Sequence, residues 1–318
     1  MRIKFWGVRG SIPTPERRNS RYGGNTPCVE VRLDDGSLII LDCGTGLRPL
    51  GKSLVRSAAG EPVRAHIFLT HFQWDHVQGI PFFLPFYSPL NTFVIRAATW
   101  RCRELDGIIK RQMMYPLFPV SADTMRATRH LRQDEEWPVR ASSATIKFAP
   151  LNHPQGSVAY RIEADGSAFV YATDTEPGST EHDRVLQDLA KGADVLVYDA
   201  QYAPAQLLRE KKGWGHSSWL EGTRIARDSN VKRLILFHHD PDSDDSRIDS
   251  LVEEACEEFP DAWGAAEGMV LTLRDGAVIQ ESDGAHRRDE VEAVAVSADS
   301  LSPINQSRGE SDARVSAE

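Results

Sequence analysis

The sequence predicts a layered α/β fold, and three observations carry that expectation. Short apolar runs alternate with helical segments along the chain. The runs are too continuously apolar to face water. Their polar exceptions fall at the ends, not the middles.

The runs "SLIILDCG", "AHIFLTH", "TFVIRA", "SVAYRIEADGSAFVYATD", "DVLVYDA" and "RLILFHHD" read as strands. Each is rich in Val, Ile, Leu, Phe or Tyr and bounded by turn residues. Within the longest, Asp165-Gly166 carries a hairpin signal. Apolar periodicity predicts helices over 46–58, 101–113, 182–191, 204–212, 218–229 and 246–258. Ser218 and Glu221 have capping-box spacing at the start of the fifth. After about residue 283 the chain has no aromatic residue and many Ser, Ala, Asp and Glu. That composition predicts a disordered acidic tail over 283–318, and a single domain over 1–282.

The chain has 318 residues, 41% of them hydrophobic, enough for one large core or two modest ones. The start "MRIKFWGVRG" is charged and broken by glycines, unlike a signal peptide. The most apolar stretch, "GIPFFLPFYSPL", is short and carries three prolines, so no membrane span is expected. Cys28, Cys43, Cys102 and Cys256 lack CxxC spacing and read as reduced thiols of a cytoplasmic protein. The net charge of −9 is uneven: residues 1–64 carry 11 Lys/Arg against 6 Asp/Glu, and residues 141–318 carry 17 against 33. The acidic half argues against a nucleic-acid coat, so no stable nucleic-acid partner is expected. The basic start could meet a small anion or be ordinary solvated surface.

Four apolar runs end in potential metal or proton ligands. These are His71, Asp75 and His76 in "HIFLTHFQWDH", Asp174 in "FVYATD", Asp199 in "VLVYDA", and His238–His239 in "LILFHH". His153 in "PLNHPQGS" adds another. Strand ends are where α/β layers build sites. Taken singly, each residue has a structural explanation: a buried histidine with a hydrogen bond, a turn-capping Asp, a loop histidine. Taken together they form the His and carboxylate set of a hydrolytic metal site. Two divalent ions, zinc or manganese, would need about that number of ligands.

The stretch "THFQWDH" resembles the HxHxDH signature of the metallo-β-lactamase superfamily, with Gln73 where the signature has a histidine. The likeness covers roughly residues 1–275. It is nearest to the phosphodiesterase branch, which includes RNase Z and cyclic-phosphate and cyclic-nucleotide phosphodiesterases. "WGVRGSIPTPERRNSRYGGNTPCVEV", "DCGTG" and "GWGHSSW" followed by "VKRLILFHHD" are similar to further motifs of that branch. The resemblance implies an αββα four-layer sandwich. It implies a first ion held by His71, the Gln73 position and His153. It implies a second held by Asp75, His76 and His238, with His239 as the alternative, and Asp174 bridging. His216 would act on the leaving group, Asp199 would orient it, and Asp42 would support the site from behind. Arg9 and Asn25 are candidate substrate contacts.

His216 also has a physical argument, because it precedes a helix start that favours an anion. The expected activity is hydrolysis of a small cyclic nucleotide or cyclic phosphate, with a metal-activated hydroxide attacking phosphorus. An RNase Z-like ribonuclease and a metal-poor nucleotide-binding protein are the alternatives. Gln73 weakens the expected first metal site. The segment 96–140, with Arg101, Arg103, Lys110, Arg111 and "MMYPLFP", is a candidate lid or homodimer contact.

Overall fold

The computed structural model describes residues 1–97, 104–132 and 137–282. The predicted acidic tail, Cys102, Arg101 and Arg103 lie outside the described residues. In chain order the elements open with β1 (Arg2–Gly7), β2 (Cys28–Arg32), β3 (Leu38–Leu41), α1 (Leu47–Ala58), β4 (Arg64–Leu69), α2 (Trp74–Val77), β5 (Thr92–Ala97), α3 (Leu105–Gln112) and β6 (Thr128–Arg132). They continue with β7 (Val139–Ala141), β8 (Ala144–Leu151), β9 (Ser157–Ala164), β10 (Ser167–Ala172), α4 (Thr180–Ala190), β11 (Val195–Asp199), α5 (Pro204–Glu210) and α6 (Trp219–Asp228). The last are β12 (Arg233–Phe237), α7 (Asp245–Glu258), β13 (Ala262–Gly264), β14 (Val270–Arg274) and β15 (Ala277–Ser282).

The strands form two sheets, ordered β15-β14-β1-β2-β3-β4-β5-β6 and β13-β12-β11-β10-β9-β8-β7. Among the described residues the apolar side chains gather in three groups, one for each interface of a four-layer αββα sandwich. Ile3, Phe5, Val29, Ile39 and Phe68 of the first sheet meet Tyr160, Phe169, Val197 and Phe237 of the second. Leu47, Leu50 and Leu54 of α1 cover the outer face of the first sheet on Ile40, Ile67 and Phe93. Leu186 of α4, Ile225 of α6 and Leu251 of α7 cover Val170, Leu196 and Leu234 of the second. Central strands are therefore buried on both faces, which is why they read as unbroken apolar runs.

The β9–β10 turn pairs Ala164 with Ser167, and Asp165 and Gly166 both have positive φ, 53° and 67°. That is the pattern of a type I′ hairpin, as the Asp-Gly pair predicts. The Ser218–Glu221 capping box does not form. Ser218 stands at the N-cap position without a side-chain cap, and Glu221 turns outward to Arg224. Ser218 is buried, and its backbone bridges Tyr202.

Strand direction gathers the chemistry. β3 and β4 run parallel, as do β10, β11 and β12, and β8 shares their direction through two antiparallel pairings with β9. The C-terminal ends of these strands therefore fall at one edge of the two sheets. Asp42, His71, His153, Asp174, Asp199 and His238 are each at or just beyond such an end.

Candidate metal centre and active site

Three of these residues sit in left-handed backbone: Asp42 at φ 57°, Asp174 at 59° and His238 at 61°. Non-glycine residues hold this conformation only where their surroundings over-determine it. Here it turns the chain sharply off the strand, so that the side chain faces the sheet edge.

Five histidines share one arrangement. Each has Nδ1 beside an acceptor outside the cluster. His71 Nδ1 is 3.0 Å from Thr70 Oγ1, and His76 Nδ1 is 2.9 Å from Asp42 Oδ2. His153 Nδ1 is 2.9 Å from the Gly215 carbonyl, and His238 Nδ1 is 3.1 Å from Gln201 Oε1. His216 Nδ1 is 2.9 Å from Asp199 Oδ2. Such acceptors fix the proton on Nδ1 and leave Nε2 of a neutral ring as a bare donor atom, the arrangement metal-ligating histidines use. Asp42 is itself held by Thr70 and Tyr171.

The inner atoms converge. His76 Nε2 is 3.4 Å from Asp75 Oδ2 and 3.2 Å from Asp174 Oδ2. His238 Nε2 is 3.2 Å from Asp75 Oδ2 and 3.5 Å from Asp174 Oδ1. A tetrahedral ion with ligands at about 2.0–2.1 Å spaces them about 3.3 Å apart. The separations match, so the residues fit a divalent ion. A second group, His71, His76 and Asp174, is also within ligand reach, with His71 Nε2 3.7 Å from Asp174 Oδ1. His71 Nε2, His76 Nε2 and Asp174 Oδ1 are buried without a hydrogen bond of acceptable geometry. Orphaned polar atoms at such depth call for a partner.

The electrostatics point the same way. Burial opposes charge on His76, yet Asp174, Asp75 and Asp42 raise its pKa well above the ordinary histidine value. Burial also opposes charge on Asp174, but His238, His76 and His71 hold it well below the carboxylate range. Three carboxylates around buried imidazoles demand positive charge. Burial pushes His71 down to about 3, keeping its ring neutral.

His216 stands just outside this set. Its ring stacks on His238, with centroids 4.9 Å apart at 20°. Burial opposes its charge, but Asp199, through charge and hydrogen bond, raises its pKa to about 9. Asp174, Asp199, His216 and His238 also fall within mutual ligand reach. Asp199 and His216 are already bonded to each other, and Asp199 further accepts from the backbone N–H groups of Asp174, Gln201 and Ser217.

His239 turns away from this cluster. Its Nε2 meets the Ala265 carbonyl at 2.8 Å, and burial, then Arg9, push it down to about 3. Arg9 and Asn25 are committed to the scaffold rather than open to a substrate. The fully buried Arg9 guanidinium donates to the carbonyls of Gly23, Asp240 and Ser243. Asn25 is clasped by Glu267 through both its backbone and side-chain N–H groups. Gln73 meets His153, its Nε2 lying 2.7 Å from His153 Nε2.

Thr70, Gln201, Glu176 and the Gly215 carbonyl were not legible beforehand. Thr70 could have been suspected from its place in "LTH"; nothing local marks Gln201. Glu176 accepts from the N–H groups of Gly213 and Gly215, holding the loop whose carbonyl orients His153. Gly215 has φ 87°, and a Cβ there would lie 2.3 Å from His153 Nδ1. Gly215→Ala is expected to destabilise the protein by about 1–3 kcal/mol and to displace His153. Thermal unfolding checks it, and an unchanged Tm would show that the loop relaxes freely.

Comparison with known proteins agrees with this fold. Residues 38–239 match the Beta-lactamase superfamily domain. Ribonuclease Z of Haloarcula marismortui is 25% identical, the alignment covering 91% of this chain and 97% of that protein. Ribonuclease Z of Thermoplasma volcanium is 28% identical, covering 86% and 98%. Among solved structures, the metallo-beta-lactamase fold protein YhfI from Bacillus subtilis superposes with a TM-score of 0.63 at 20% identity, covering 85% of this chain and 97% of that one. The short form of human tRNase Z superposes at 0.57 and 19%, covering 86% and 99%. At these identities the structures speak for the fold.

Proposed function

The chain belongs to the beta-lactamase superfamily, and from that premise and its donor set we infer a metal-dependent hydrolase of phosphodiester bonds. The observation that carries this reading is the double layer of the site: His71, His76 and His238 each have an outer acceptor at Nδ1, and their Nε2 atoms converge on Asp75 and Asp174. The Ribonuclease Z relatives, aligned over nearly their whole length, support the phosphodiester class.

Asp75, His76, His238 and Asp174 would hold one ion, and His71, His153 and Asp174 the other. The histidine-bearing set suits zinc, and oxygen donors nearby suit manganese. Bound there, the ions would lower the pKa of water to about 7 and neutralise charge on the phosphate. Asp75, anchored by the Ser11 N–H at 2.8 Å, keeps its carboxylate fixed toward the cluster. His216, protonated at neutral pH and steadied by Asp199, is assigned to give a proton from Nε2 to the leaving oxygen. Asp42 orients His76 without touching substrate.

For the substrate we favour a small cyclic nucleotide or cyclic phosphate. A cavity of about 460 Å³ adjoins His71 and His153, with Phe72, Ile108 and Phe148 on its walls and Arg111 at its edge. That size is in the range of small-ligand pockets. The RNase Z reading is favoured by the names of the relatives. The exposed apolar run of Met114, Tyr115 and Leu117 supports the reading of this segment as a homodimer contact. Among the described residues no helix is long and apolar enough to cross a membrane.

The test is a panel of cyclic nucleotides, cyclic phosphates and a precursor tRNA with a 3′ trailer, each with zinc- and manganese-loaded protein. Cleavage of the cyclic substrates supports the favoured reading. Cleavage of the tRNA alone replaces it with the ribonuclease. Failure on every phosphodiester overturns both.

A further inference from the structure

We propose that Gln73 competes with a metal ion for His153 instead of serving as a ligand. The argument starts from the His153 tautomer. Its Nδ1 is 2.9 Å from the Gly215 carbonyl, which can only accept, so Nδ1 carries the proton and Nε2 is bare. The Gln73 amide nitrogen lies 2.7 Å from that bare Nε2. An amide N–H on an imidazole lone pair is a good hydrogen bond. The opposite amide orientation would set a carbonyl oxygen against the lone pair, with no proton between them, so the network itself selects the orientation.

The lone pair His153 would give to an ion is therefore already engaged. The neighbouring donors differ: His71 Nε2 and Asp174 Oδ1 are buried and unpartnered. Among the described residues, His71, His76 and Asp174 fall in one group within mutual ligand reach, and Asp75, His76 and His238 in another, but His153 falls in none. Gln73 is half-buried at the start of the short α2, beside exposed Trp74, so its side chain has somewhere to go. Binding at the first site then requires Gln73 to release His153. At the second site the Nε2 atoms of His76 and His238 meet Asp75 and Asp174, so an ion there replaces contacts among its own ligands and no outside group has to leave. The result is a centre that holds one ion tightly and takes up the other only as free metal rises.

This rests on the metal-dependent reading, and the experiment separates the two. Purified, chelator-stripped protein is titrated with Zn²⁺ and with Mn²⁺ by calorimetry, and spin coupling between paired Mn²⁺ ions is followed by electron paramagnetic resonance. The natural chain should bind one equivalent tightly and one weakly. Gln73→Ala and the near-isosteric Gln73→Leu should both tighten the weak site, by roughly 3- to 10-fold, the size of one net hydrogen bond. Gln73→His should tighten it further by adding a nitrogen donor. In a His153→Ala background, Gln73→Ala should change nothing. If Gln73→Ala and Gln73→Leu weaken the second equivalent or leave it unaltered, Gln73 is a ligand or a bystander and the proposal is wrong. If the natural chain binds no ion, the metal-dependent reading falls as well.

Discussion

His216→Ala is expected to lower turnover by about 10²–10⁴-fold, the usual worth of general acid–base assistance, while metal content stays unchanged. The residue's Nδ1 is tied to Asp199 at 2.9 Å, and its pKa is raised to about 9, so near neutrality it is a charged donor with Nε2–H to give. The sign of the pH dependence follows. The acid must be protonated, so its contribution is present below its pKa and lost as pH rises through it. The alkaline limb of kcat should therefore be absent in His216→Ala. Asp199→Asn should move that limb to lower pH, because it removes the charge that holds the proton. Substrates with good leaving groups, such as p-nitrophenol, need little proton donation and should be hurt far less. Loss of an ion from His216→Ala, measured by elemental analysis, would instead make the Asp174–Asp199–His216–His238 group a metal site.

Asp174→Asn should have the largest effect of any single change: turnover lowered by more than about 10³-fold, with metal content falling sharply. Asp174 Oδ2 is 3.2 Å from His76 Nε2, and Oδ1 lies 3.5 Å from His238 Nε2 and 3.7 Å from His71 Nε2. Among the described residues, no other carboxylate is paired with His71, His76 and His238 together. Asparagine tolerates the left-handed backbone at this position and can still accept from Thr173, so the fold should survive. The check is paired: metal content and turnover collapse, while the Tm of chelator-stripped variant and natural protein stay within about 4 °C, a shift worth roughly 1–2 kcal/mol. Retained metal at full stoichiometry would show that Asp174 is not shared between the ions.

Much of the fold was legible because burial on both faces leaves its mark on composition. β3, β4, β5, β10, β11 and β12 are central strands, and their continuous apolar runs announce them. β6, β7, β13 and β15 are the edge strands, short or half-solvated, and "TRHLR" or "AVIQES" carries no comparable signal. The hairpin at Asp165-Gly166 was readable because its backbone demands those residues; the Ser218–Glu221 capping box does not form, and Glu221 pairs with Arg224 instead.

The candidate site divides in the same way. By itself the sequence determined which residue types stand at the strand ends, since a carboxylate or imidazole ending an apolar run stands out against its neighbours. It put His238 ahead of His239 only through the resemblance. Tertiary structure supplies the physical difference, by turning one residue at φ 61° toward Asp75 and burying the other against the Ala265 carbonyl. Nor could the sequence tell that Arg9 is consumed by three backbone carbonyls, or that Gln73 reaches His153 across 80 residues of chain. Residue type is a local property, whereas the partner of each polar atom depends on where distant strands end, and that is fixed only when the two sheets pack.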